Sequence, residues 1–150
     1  MKTILVVLAA SNALASGRIG ETAEQLERRY GKPVRTTHNS NYYEKDGISI
    51  TTVMWKDRCH LIHFSPVISP QDNTKNFGMN RGKLTKEQIQ SFLTDNPAGV
   101  KWEGTEGSFT SSDHKFTALA SSNGVVIQTV SFLNHAPQGT APRRLPIAIR

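Results

Sequence analysis

The sequence writes Thr-x-Glu-Gln-(Leu/Ile) twice, as TAEQL from Thr22 and as TKEQI from Thr85, 85 − 22 = 63 positions apart. In each copy the threonine hydroxyl is placed to accept from a free backbone N–H of a first helical turn. The glutamine three residues on, Gln25 or Gln88, can reach back to the threonine's own N–H, which completes a capping box. Glu24 and Glu87 add negative charge where the helix dipole favours it. Leu84 precedes Thr85 and is spaced to pack on Ile89 as a hydrophobic staple. The first helix presents Ala23, Leu26 and Tyr30 on one face and carries Arg28 and Arg29 near its end; Gly31 stops it and Pro33 prevents its resumption. The second presents Ile89, Phe92 and Leu93 and is closed by Asn96-Pro97. Helices of roughly ten residues are unstable alone, so each needs an apolar surface supplied by another element.

The intervening sequence supplies sheet. Asp46-Gly47 is a turn signal, preceded by Tyr42-Tyr43, of which alternation sends only one inward. Ile48 to Trp55 is rich in β-branched residues, Lys56-Asp57-Arg58 is a polar turn, and Cys59 to Phe64 is the returning strand. After the second helix, Val100 to Trp102 and Ser108 to Thr110 are weaker strands and Lys115 to Ala120 a clearer one. Ser121-Ser122-Asn123-Gly124 is a hairpin turn, and Val125 to Phe132 returns. The order predicts a single α+β domain in two layers, short helices packed on an antiparallel sheet. The echo admits two readings: one helix-plus-meander unit used twice, or two capping boxes that arose separately.

The opening IGETAEQLERRYGKPV resembles the start of the BamE/SmpA-like and β-lactamase-inhibitor-protein-like families, which begin with Gly-x-Thr, a short helix, and Gly-x-Pro leading into a strand. The matching residues are Gly20, Thr22, Leu26, Tyr30, Gly31 and Pro33. It is also similar to small exported bacterial proteins that carry an RIGET…RYGKPV opening. The resemblance implies a two-layer α+β fold that works by binding proteins at the cell envelope. The lipid-bearing cysteine of the first family and the paired cysteines of the second are absent.

The N-terminus predicts export. Lys2, the apolar run Ile4 to Ala10 and the small-x-small site Ala13-Leu14-Ala15 occur in the order of a signal peptide cleaved after Ala15. The mature chain would hold 150 − 15 = 135 residues, enough for one domain over 16–135 with a basic tail over 136–150. No other segment is apolar enough to span a bilayer. Cys59 is the only cysteine, so no internal disulfide can form. The expected location is therefore the periplasm or the medium. The net charge of +6, or 6 − 1 = +5 once Lys2 is lost, then points to an acidic protein or an anionic envelope polymer or lipid, and not to nucleic acid.

Catalytic and cofactor signals are thin. In RCHLIH, strict alternation puts Cys59 and His63 on one face and His60 on the other. Two ligands do not complete a zinc site, and His38, His114 and His135 would contribute only by folding nearby. GMNRGKL lacks the spacing and the Ser/Thr of a phosphate loop. There is no Gly-x-Ser-x-Gly elbow, and Asp113-His114 would face apart on a strand. Glu103 and Glu106 flank a turn and are expected in solvent. Trp55 and Trp102 are candidates to line a groove, or else ordinary large sheet residues. No cofactor, metal or enzymatic activity is expected; the rival enzymatic reading is a small hydrolase using Cys59 or a histidine.

Two segments have the composition of partner contacts. The stretch 66–83, between the halves, interleaves Lys75, Arg81 and Lys83 with Phe77 and Met79, a mixture that suits an acidic, partly apolar surface or else a linker. The tail carries Arg143 and Arg144. The expected function is an exported, non-enzymatic protein-binding module of the assembly-accessory or inhibitor type. The alternative is a binder of anionic envelope polymer or lipid through the basic loop and tail.

Overall fold

A computed structural model describes residues 18–67, 82–97 and 99–135. The expected leader, the loop residues Lys75, Phe77, Met79 and Arg81, and the tail residues Arg143 and Arg144 lie outside them. Among the described residues the fold is α+β, with one eight-stranded antiparallel sheet outweighing three short helices. Helix α1 (Ala23–Tyr30) is followed by strands β1 (Arg35–Thr36), β2 (Ser40–Lys45), β3 (Ile48–Trp55) and β4 (Arg58–Pro66). Helix α2 (Lys86–Asp95) is followed by β5 (Trp102–Thr105), β6 (Ser108–Ser111), β7 (Phe116–Ser121), β8 (Gly124–Thr129) and helix α3 (Val130–His135). The sheet order is β1-β2-β3-β4-β8-β7-β6-β5: two four-stranded meanders joined through their last strands.

Both capping boxes form. Thr22 Oγ1 accepts from Gln25 N–H and Gln25 Oε1 from Thr22 N–H; Thr85 and Gln88 repeat the pair. Each helix entry is tied to the last hairpin of its own meander. Gly20 N–H donates to Cys59 O and Cys59 N–H to Glu21 O, while Leu84 N–H donates to Ser122 O. Each helix exit is also held: Lys45 Nζ donates to Arg29 O at 2.8 Å, and Trp102 Nε1 to Leu93 O at 2.7 Å. Glu21 and Arg29 form a two-point ion pair beside α1.

Leu26 and Tyr30 of α1 and Phe92 and Leu93 of α2 share one buried cluster with Tyr43, Ile50, Ile62, Phe64, Val125 and Ile127 of the sheet. Ile89 packs against it, but Ala23 is exposed, so the buried stripe of α1 is narrower than its spacing suggests. Tyr43 is the inward tyrosine. Asp46-Gly47 makes the β2–β3 turn with both φ angles positive (52° and 76°), as a two-residue hairpin of this twist requires.

Three expectations are corrected. Val125 to Phe132 is not one strand: β8 ends at Thr129 and the chain turns into α3, whose Phe132 packs on Val53 and Leu61. The β-branched run carries a strand signal past the point where tertiary packing turns it. Val100 and Lys101 precede β5, which begins at Trp102 and runs to Thr105. Asp113-His114 lies in the β6–β7 turn, where Asp113 accepts from Ser111 Oγ and Lys115 N–H.

Candidate sheet-face site

The second face of the sheet is set by a bulge. In β3–β4, Val53 pairs with Leu61 and Met54 with Cys59, which leaves His60 as an extra residue on β4. Cys59 therefore joins the cluster under α1 and α2, whereas the His60 ring contacts Trp55 and Phe132 on the far side. His63 pairs with Val126, which packs on the Phe132 cluster. Strict alternation fails here: Cys59 and His63 take opposite faces, and His60 and His63 share one. The bulge adds one residue and reverses the count.

One row of paired residues crosses this face through all eight strands: Arg35, Tyr42, Thr51, His63, Val126, Leu119, Ser108 and Thr105. At about 4.8 Å per strand step, seven steps span roughly 34 Å. The row is charged only at Arg35, whose guanidinium carbon lies 4.1 Å from the Tyr42 ring centroid. Its middle is hydroxyl, imidazole and aliphatic. Leu119 is 50 % exposed, one of three large apolar side chains so exposed among the described residues; Leu133 of α3 is another. His63 is half-buried, and burial lowers its pKa from the ordinary value. It has room because Gly124 lies beside it: a Cβ there would meet His63 Nε2 at 2.8 Å and Phe64 O at 2.9 Å.

Beside the row, α3 covers Val53 and Leu61. At its edge a cleft of about 310 Å³ is lined by His38, Asn39, Met54, Trp55, Lys56, Asp57 and Phe132. Lys56 Nζ stands 4.4 Å from the Trp55 ring centroid. Trp102 packs against the cluster on the opposite face, so the two tryptophans do not line one groove.

Cys59 has no exposed surface, and burial, then the Glu21 charge, pushes its thiol up to about 12. A thiol held protonated and sealed from solvent is a poor nucleophile. Among the described residues no group of three or more His, Cys, Asp or Glu is placed to hold a metal ion, and no helix is long and apolar enough to cross a membrane. Glu103 and Glu106 are exposed, as is Lys83, the one expected partner contact inside the described residues. The eight-strand row cannot be read from the sequence, because it depends on β4 pairing with β8, residues more than sixty positions apart. Only the alternation within each strand was local enough to read.

Comparison with protein-family models, with curated proteins and with solved structures finds no match.

Proposed function

We propose that this chain is an exported, non-enzymatic protein-binding module of the bacterial envelope or secretome, an assembly accessory or inhibitor. Its fold is read as two layers, a helix-plus-meander unit used twice, with α1 and α2 on one side of the sheet and the partner on the other. The observation that carries this reading is the row from Arg35 to Thr105, a surface roughly 34 Å long with an uncharged middle and a half-exposed leucine. Neutral hydroxyls, a tyrosine and aliphatic side chains suit the core of a protein–protein contact, where charge is depleted. A polyanion would need clustered cations, and the row offers Arg35 alone. The sealed thiol of Cys59 supports the non-enzymatic part of the reading.

The test is native mass spectrometry of the protein purified gently from its own host, with Leu119→Arg in parallel. A stoichiometric protein complex that tolerates moderate salt and is lost in Leu119→Arg, with the fold intact, supports the reading. A protein that binds only anionic polymer, with affinity that falls steeply with salt, contradicts it in favour of the basic loop and tail.

A further inference from the structure

Among the described residues α3 is the one helix on this second face of the sheet, and few contacts hold it there. Six residues are too few to be helical alone. Only Phe132 is buried, while Ser131, Leu133, Asn134 and His135 are exposed. Phe132 packs over Val53 and Leu61. Val130 N–H donates to Lys115 O at 2.8 Å, and the other polar contacts that hold the first turn converge on one oxygen. Thr129 Oγ1 accepts from Phe132 N–H at 3.1 Å and from the Ser131 hydroxyl at 3.2 Å, and it lies 2.8 Å from His60 Nδ1. With both its lone pairs engaged, the Thr129 hydroxyl gives its own proton to Nδ1, which assigns neutral His60 to the Nε2–H tautomer. The same imidazole packs against Trp55 at 5.0 Å and Phe132 at 6.2 Å. It thus touches the cap of α3 through a nitrogen and the anchor of α3 through its ring.

We propose that α3 is a removable cover over part of the binding face, latched by neutral His60 through Thr129 and released when His60 takes up a proton. Protonation turns Nδ1 from acceptor to donor, aimed at an oxygen that already receives two donors. Ser131 is exposed and can turn its hydroxyl to water, which relieves that conflict but not the second one. The new charge sits in a half-buried aromatic cluster beside the Lys56 ammonium. Burial first, then Lys56, already lowers the His60 pKa from its ordinary value.

The surrounding charges do not cancel this. The β3–β4 turn brings Lys56, Asp57 and Arg58, and His38 lies across the cleft. α3 brings His135, hydrogen-bonded to Ser131 O, and the Lys115 carbonyl accepts from Val130 N–H; β8 carries no titratable side chain. The open form, with the imidazolium in water, takes the proton more readily. The open-to-closed ratio therefore rises with acid, by as much as about tenfold for each pH unit between the two forms' pKa values. Release would add Val53 and Leu61 to the row through His63. That use rests on the proposed binding face; the release does not.

Native-state hydrogen exchange of the whole chain tests it without any partner. Between about pH 7.5 and about pH 5, protection of Phe132 N–H, corrected for intrinsic rate, should fall, by no more than about tenfold per pH unit, while that of Ile127 holds. His60→Gln should show no such fall, and His135→Gln should behave as the wild type. Phe132 protection that persists in acid overturns the proposal. So does a wild-type fall in His60→Gln, or a fall shared by Ile127, which would be general unfolding. Should His60→Gln not fold, the wild-type His60 titration followed by NMR decides: a midpoint coincident with the loss of Phe132 protection supports the latch, and a separate midpoint overturns it. Because no partner enters, the proposed function can fail while this result stands.

Discussion

The rings of Phe64 and Phe92 lie parallel, with centroids 4.2 Å apart. Phe64 belongs to β4, the last strand of the first meander, and Phe92 to α2, the helix before the second. The contact therefore joins the two parts of the chain directly, in addition to the β4–β8 pairing. Both side chains are buried, at 0 % and 3 % exposure. Phe92→Ala should cost about 3–5 kcal/mol, read as a lower urea midpoint with an unchanged slope. A loss under about 1 kcal/mol would mean that α2 is not anchored there.

The two capping boxes make a paired prediction. Thr22→Ala and Thr85→Ala should each destabilise by about 1 kcal/mol, and the double variant by about the sum, since the two caps share no partner. Urea unfolding of the three variants checks it. One silent cap would show that its helix contributes little to the folded state.

Much of this was legible in the sequence because it is local. Thr22 with Gln25, Gly31 after Tyr30, and Asp46-Gly47 between β2 and β3 are decided by neighbours a few residues apart, and the structure has them where their chemistry puts them. The bulge at His60 was not legible, since an extra residue in a ladder leaves no mark that counting can find. α3 was hidden by Val125, Val126 and Ile127, whose β-branched side chains extend a strand signal through Val130. The face crossed by Tyr42, His63 and Leu119 exists only once β4 meets β8, so no local reading could assemble it.

The histidines predict the pH dependence of stability. His60 and His63 both have folded pKa values lowered chiefly by burial from the ordinary 6.5. The unfolded chain therefore takes up protons first as pH falls. The contribution of the neutral rings is fully present above about 6.5 and is lost as pH drops through that value toward the folded ones. Urea midpoints should be flat above neutrality and decline as pH falls below about 6.5, less so in His60→Gln and His63→Gln. Stability that rises over that window would contradict the burial assigned to both rings.

Cys59 should be chemically silent in the native protein. With its thiol sealed and pushed up to about 12, it should resist thiol reagents at mildly alkaline pH and react fully in denaturant. Rapid native-state labelling would show that the segment Gly20–Glu21, which pairs with Cys59 through backbone hydrogen bonds, opens readily.

The central claim, that the face opposite α1 and α2 binds a protein partner, is tested most directly by a footprint of the isolated complex. Side-chain labelling by hydroxyl radicals, with and without the partner, should show protection at Tyr42, His63 and Leu119 and none at the outer surfaces of α1 and α2. Protection of those helices, with Tyr42 and Leu119 labelled as in the free protein, would contradict it.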